Sequence, residues 1–223
     1  MDFKEWARLY REILAEFGFS EEADVEAAKV LAELLPEKPP IDRLKKLIDG
    51  RIVNVFGAGP TLEEIKEFPE GTSIVADGAT SFFIENDTVP DIIVTDLDGQ
   101  MKDIVEANKR GSLIVVHAHG SNIPEIKKYA GEFDTFVGTT QAEAFGRLYN
   151  FGGFMDGDRC VFLAHYFGAK EIKIYGIDFS NPVMGKYTLS KNPELTKKKL
   201  VWAERLIKYL KEKGANIMYV GVG

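Results

Sequence analysis

Apolar residues at Phe3, Trp6, Ala7, Tyr10, Ile13, Leu14 and Phe17 recur at helical spacing, and Gly18 follows where a glycine commonly ends such a run. The spacing predicts an amphipathic helix over 3–17. Ser20 before Glu21 and Glu22 predicts a second helix start, continuing to Leu35, where Pro36-Glu37-Lys38-Pro39-Pro40 breaks the pattern. A short third helix is expected over 42–48. From Arg51 onward the pattern changes to short apolar runs separated by helical or turn-rich stretches, which predicts strands over 52–56, 73–76, 91–94, 113–116, 135–137, 171–175 and 216–220. The expected fold class is α/β: a Rossmann-like, mostly parallel sheet flanked by helices, with a small N-terminal helical subdomain. The proline-rich break suggests a helical region over 1–50 and an α/β catalytic domain over 51–223.

Nearly every predicted strand ends in a small or polar cluster. These are Gly57-Ala58-Gly59, Asp77-Gly78, Thr95-Asp96, His117-Ala118-His119-Gly120, Gly138-Thr139-Thr140-Gln141 and Gly176-Ile177-Asp178. Ligands of open α/β sheets bind beyond the carboxyl ends of the strands, so the clusters are expected to converge on one crevice. Two helices bracket the last strands, over 158–167 before Gly168 and over 193–213 before Gly214, with Asn192 as cap and Pro193 at the first helical position. The loop 178–192, with Pro182, Gly185 and Lys186, is long enough for a lid or is a plain connection. No internal repeat occurs.

With 223 residues, 45% of them hydrophobic, the chain can bury an ordinary core. A formal net charge of -7 disfavours a surface built to neutralise a nucleic-acid backbone, so no nucleic-acid partner is expected. Cys160 is the single cysteine, which excludes an internal disulfide and fits a reducing setting. The start lacks a signal-peptide pattern, and no stretch is apolar enough to span a bilayer; the expectation is a cytoplasmic protein with no membrane partner.

The run Pro90-Asp91-Ile92-Ile93-Val94-Thr95-Asp96-Leu97-Asp98-Gly99 empties an apolar strand into two acids. Extended backbone would project Asp96 and Asp98 to one side, and paired carboxylates are commonly tolerated around a hard cation. Asp77, at another strand end, would join them around magnesium, or is a turn aspartate before Gly78. These three acids are the candidate metal ligands and catalytic residues. Gly57, Gly59 and Thr61 lie where backbone N–H groups of a helix start would meet a phosphate, or belong to a tight turn with no ligand. Leu62 occupies the third glycine position of a dinucleotide fingerprint and the Walker lysine is missing, so neither motif is complete.

His117 and His119 share a face by the same period-two rule, with Asn122 close behind. They suit phosphate contact, zinc with a carboxylate, or a structural role. In Gly152-Gly153-Phe154-Met155-Asp156-Gly157-Asp158-Arg159, Asp158 fits a helix cap and Arg159 a first-turn residue, while the glycines and Asp156 are left unexplained. The run Lys197-Lys198-Lys199 reads as the wet face of the last helix.

Taken in order, Gly57-Ala58-Gly59-Pro60-Thr61-Leu62, Ala76-Asp77-Gly78-Ala79, Val94-Thr95-Asp96-Leu97-Asp98-Gly99, His117-Ala118-His119-Gly120, Thr139-Thr140-Gln141 and Asp156-Gly157-Asp158-Arg159 resemble the archaeal-type 6-hydroxymethyl-7,8-dihydropterin diphosphokinases. The resemblance implies magnesium-dependent transfer of the terminal diphosphate of ATP to the hydroxymethyl group of the pterin, with release of AMP, on the way to tetrahydromethanopterin or folate. It implies Mg2+ at Asp77, Asp96 and Asp98, phosphate contacts from His117, His119, Asn122 and Arg159, and substrate contacts from Thr139, Thr140, Gln141, Asp156, Asp158 and Asp178. A flat nitrogen-rich ring wants a carboxylate or amide opposite its N–H edge, for which Gln141, Asp156 and Asp178 are the candidates. ATP and the pterin are the expected partners, and a homo-oligomer is the working expectation.

The segment from Ala76 to Gly99 also resembles thiamine diphosphokinases, although Gly99 stands where those usually carry serine. The strand-end motifs resemble a domain of some nucleotide-sugar glycosyltransferases too, and a nucleotide-binding module without turnover is a third reading.

Overall fold

Near-continuous apolar runs such as Ile92-Ile93-Val94 and Leu113-Ile114-Val115-Val116 suit strands covered on both faces, as in the middle of a parallel sheet. The computed structural model, which describes residues 3–179, 185–188 and 192–221, forms such a sheet. Its strands are β1 (Ile52–Phe56), β2 (Thr72–Ala76), β3 (Ile92–Thr95), β4 (Leu113–Ala118), β5 (Phe136–Thr140), β6 (Glu171–Tyr175) and β7 (Ile217–Tyr219). Every pairing is parallel, in the order β5-β4-β3-β2-β1-β6-β7. The chain winds outward from β1 to β5 and then returns to the other side of β1 with β6. The sheet therefore has a topological switch between β1 and β6, where the loops at the carboxyl ends diverge and leave a crevice.

Alternation along the strands sorts the side chains into layers. Val53, Val55, Ile74, Ile92, Val94, Leu113 and Val115 face one side, where they pack with Trp6, Tyr10 and Ile13 of α1 (Phe3–Phe17), Phe162 of α7 (Asp156–Tyr166) and Leu206 of α8 (Pro193–Glu212). Ile93, Ile114, Val116 and Phe136 face the other side, against Ala27, Ala28 and Leu31 of α2 (Glu21–Leu34) and Ile104 and Ala107. Phe56 and Val75 complete that second side with Phe82, Phe83 and Tyr187. The remaining α-helices among the described residues are α3 (Ile41–Ile48), α4 (Ala79–Glu85), α5 (Met101–Lys109) and α6 (Ile123–Tyr129). None is long and apolar enough to cross a membrane.

The caps follow the sequence. Gly18 ends α1 with φ +65, the Ser20 side chain accepts from the N–H of Ala23 (3.2 Å), and Asn192 accepts from the N–H of Leu195 (3.1 Å) ahead of Pro193. The N-terminal helices build no core of their own, because α1 covers one sheet face and α2 the other.

Three of the boundary differences bear on the site. β4 and β5 run on through His117 and through Thr139 and Thr140, so these residues belong to the sheet rather than to the loops after it. The helix expected from Asp158 begins at Asp156, which moves Asp158 into the first turn. Of the loop considered as a lid, 180–184 and 189–191 lie outside the described residues; Gly185–Thr188 is described.

Candidate active site

The strand register assembles the site. Ala76 pairs with Val94, which brings Asp77, the next residue, level with Thr95. The Asp77 N–H then donates to the Val94 carbonyl (2.8 Å), and the Thr95 hydroxyl donates to Asp77 Oδ1. Thr95 Oγ1 also accepts from the Leu97 N–H (2.8 Å). Leu97 adopts φ +69, an uncommon conformation for a branched residue, and its side chain is buried. This turn carries Gly99 back over the Asp77 carboxylate. A Cβ at Gly99 would stand 2.1 Å from Asp77 Oδ2.

The turn also corrects the acidic triad. Alternation of side chains ends with β3 at Thr95, so Asp96 and Asp98 are not presented as strand neighbours. Among the described residues, the carboxylates that meet are Asp77, Asp96 and Asp156, with one oxygen of each within 4.8 Å of the others. Asp98 is outside this group; it is exposed, and its N–H donates to Asp96 Oδ1 (3.3 Å). Asp156, expected to read a ring edge, stands at the start of α7 and takes the third place.

The cluster crowds like charges into a largely buried space. Burial, followed by the charge of Asp96, pushes Asp77 well above the ordinary carboxylate range. Burial pushes Asp156 up as well, helped by Asp96 and then Asp77. Burial acts in the same direction on Asp96, but the hydrogen bond and charge of His119 outweigh it, and the net result is about 2. His119 Nε2 lies 3.0 Å from Asp96 Oδ2, while its Nδ1 meets the Ser121 hydroxyl (3.0 Å). Three acids so close repel one another unless a cation or protons lie between them, and all-oxygen ligands suit a hard divalent ion.

A cavity of about 730 Å³ covers these acids and spans the carboxyl ends of β1 to β6, with Gly57, Gly78, Asp98, His119, Gln141 and Asp178 all on its wall. The predicted convergence of strand ends is therefore met. Several expected contacts are committed elsewhere. The N–H of Gly57 goes to the Tyr175 carbonyl (2.9 Å) and that of Gly59 to the Gly176 carbonyl (2.7 Å), which knits β1 to β6. Thr61 sits in a 3-10 turn, Pro60–Glu64, off the wall.

Asn122 donates to the backbone carbonyls of Asp96 and His117 (both 2.8 Å) and accepts from the His119 N–H (3.0 Å), so it ties the ends of β3 and β4 together. Thr139 and Thr140 are buried behind the wall. The Thr139 hydroxyl donates to the Val116 carbonyl (3.0 Å) and meets His117 Nδ1 (3.2 Å); Thr140 Oγ1 accepts from the Ala142 N–H (3.2 Å). Burial holds His117 well below its ordinary range, which makes it a neutral ring.

The glycine-rich run before α7 has a mechanical explanation. Gly153 adopts φ +92, and a Cβ there would stand 2.7 Å from the Cα of Arg159. The chain thus doubles back onto its own helix start, where Asp158 accepts from the N–H groups of Phe154 (2.6 Å) and Met155 (2.8 Å). Asp158 closes this turn from the cavity wall, and burial lifts it to about 6.

The wall also carries residues that local pattern did not assign to the site, Asp24, Phe19 and Lys199 among them. Asp24, only 3% exposed, accepts from the Tyr10 hydroxyl (2.6 Å), the Gln141 amide (2.7 Å) and the Gly120 N–H (2.8 Å). The signal was present: Asp24 falls on the buried stripe with Ala27, Ala28 and Leu31, an unusual place for an acid. Phe19 and Lys199 also line the cavity. Lys199 turns inward from the lysine run and lies 5.6 Å from the ring centres of both Phe19 and Phe154, whereas Lys197 and Lys198 are exposed.

A family model described as 6-hydroxymethylpterin diphosphokinase MptE-like matches residues 27–183. A Methanocaldococcus jannaschii protein named 6-hydroxymethyl-7,8-dihydropterin pyrophosphokinase is 44% identical, over 96% of this chain and 97% of that one. Proteins of the same name from Methanothermobacter thermautotrophicus and Pyrococcus furiosus are each 42% identical over 96% of this chain, covering 97% and 96% of their own lengths. Among solved structures, the Maf glycosyltransferase of Magnetospirillum magneticum AMB-1 aligns with 87% of this chain at 14% identity and a TM-score of 0.49. This chain spans 38% of that protein.

Proposed function

The chain belongs to the 6-hydroxymethylpterin diphosphokinase MptE-like family, and we propose that it transfers diphosphate from ATP to the hydroxymethyl group of 6-hydroxymethyl-7,8-dihydropterin, releasing AMP, as a step in pterin cofactor synthesis. The observation that carries this reading at the level of chemistry is the meeting of Asp77, Asp96 and Asp156 on the wall of one large cavity at the strand ends. Magnesium held by these three carboxylates would neutralise charge on the polyphosphate.

The remaining work falls to the chain's own groups. The pterin alcohol oxygen forms a bond to the β-phosphorus, the bond from that phosphorus to the oxygen bridging to AMP breaks, and the alcohol proton passes to a carboxylate of the cluster. His119 keeps Asp96 ionised and oriented throughout. The guanidinium of Arg159, buried on the cavity wall without an ion pair among the described residues, suits a phosphate oxygen. The position of Gly99 supports a pterin enzyme over a thiamine diphosphokinase, since the serine usual in the latter would press on Asp77.

The test is incubation of the purified chain with ATP, magnesium and 6-hydroxymethyl-7,8-dihydropterin. AMP and a diphosphorylated pterin are expected in equal amounts. AMP with thiamine in place of the pterin, or ADP as the nucleotide product, would overturn the assignment.

A further inference from the structure

A buried chain of hydrogen bonds runs from the N-terminal helices into the cavity wall. Asp24 Oδ2 accepts from both Tyr10 Oη (2.6 Å) and Gln141 Nε2 (2.7 Å), and Gln141 Oε1 in turn accepts from Arg159 Nη2 (2.9 Å). A carboxylate only accepts and a guanidinium only donates, so the Gln141 amide between them has one satisfied orientation. Reversing it would set its NH2 against Arg159 and its oxygen against Asp24. Arg159 Nη2 also donates to the Phe154 carbonyl (3.0 Å), whereas its Nε and Nη1 have no hydrogen-bond partner among the described residues. All four side chains are buried, which makes an unmatched partner costly.

We propose that Asp24 is a positioning residue of the active site: through the fixed amide of Gln141 it holds Arg159 by Nη2, so that the unpaired edge of the guanidinium stays available to a phosphate oxygen of ATP. Helix α2 then contributes a positioning residue to the active site. This rests on the diphosphotransferase reading only for the identity of the anion.

The chemistry of the chain supplies its own rescue experiment. Asp24→Asn places an amide NH2 against that of Gln141, and Gln141→Glu places a second carboxylate against Asp24. Together, Asp24→Asn and Gln141→Glu restore an unbroken donor-to-acceptor order: the Asn amide donates to the Glu carboxylate, which accepts from Arg159. Each single change is expected to lower kcat/KM and to weaken ATP binding about 10-fold to 100-fold, and the double variant to return to within about 3-fold of the parent. Tyr10→Phe, which removes a donor to Asp24 without touching Gln141, is expected to leave both quantities within about 3-fold.

ATP affinity of the magnesium-loaded chain, measured by calorimetry, separates this proposal from the activity assignment. A chain that binds ATP with the rescue pattern but forms no AMP sinks the assignment and keeps the relay. A double variant as impaired as the worse single variant, or unaltered ATP affinity in Asp24→Asn, overturns the relay. Should Asp24→Asn fail to fold, recovery of folding and of ATP affinity in the double variant supports it, and recovery of folding alone overturns it.

Discussion

His119 Nε2 stands 3.0 Å from Asp96 Oδ2, and this contact keeps one carboxylate of a crowded acidic cluster ionised. The consequence for stability has a definite sign. The folded-state value of Asp96, about 2, lies below its ordinary 3.8, so the stabilisation is present above pH 4 and is lost as the pH falls toward 2. In chelator-treated protein, His119→Ala is expected to cost about 2 kcal/mol at neutral pH, with the gap from the parent closing below about pH 4. Denaturant unfolding at a series of pH values measures this, and a gap that stays constant down to pH 2 would contradict it.

The three acids that meet are expected to outrank the exposed one. Asp96→Asn and Asp156→Asn should each lower kcat by at least about 100-fold, while Asp98→Asn should lower it by less than about 10-fold. Steady-state AMP release gives the ranking. Equal losses for Asp98 and Asp156 would restore the acidic set first expected from the sequence.

Repulsion within the cluster predicts opposite effects on stability and binding. With metal removed, Asp156→Asn should melt at a higher temperature than the parent because it relieves the like charges of Asp77 and Asp96. Magnesium at 100 times its Kd should stabilise the parent by about 2.7 kcal/mol and the variant far less. Thermal scans with magnesium and with chelator test both parts together. A variant that melts no higher without metal, or responds to magnesium as strongly as the parent, would remove Asp156 from the cluster.

Gly99→Ser introduces a Cβ into the space of the Asp77 carboxylate, 2.1 Å from Oδ2. The carboxylate must move off the cluster, so magnesium-dependent stabilisation should fall sharply and stability should drop by about 1–3 kcal/mol. A Gly99→Ser protein with parental magnesium response and activity would show that the turn at Leu97 can yield at no cost.

Much of this protein is legible along the chain. Parallel strands buried on both faces leave near-continuous apolar runs, and each break after them marks the edge of a crevice, so β1 to β7 and the places of Asp77 and Asp96 follow from local pattern. Caps such as Ser20 and Asn192 are local too, since a side chain need reach only three residues ahead. The third acid was not legible in this way. Alternation would pair Asp98 with Asp96, but a left-handed Leu97, a conformation its branched side chain does not announce, breaks the alternation at the end of β3.

Asp156 reaches the cluster only because Gly152 and Gly153 fold the chain back onto α7, and Asp24 reaches Gln141 only because α2 lies across the sheet. Short-range spacing determined the elements and which strand ends carry acids, because periodicity and capping act within a few residues. Tertiary packing decided which acids meet and which polar groups are spent on backbone, because those outcomes depend on how distant segments cross in space.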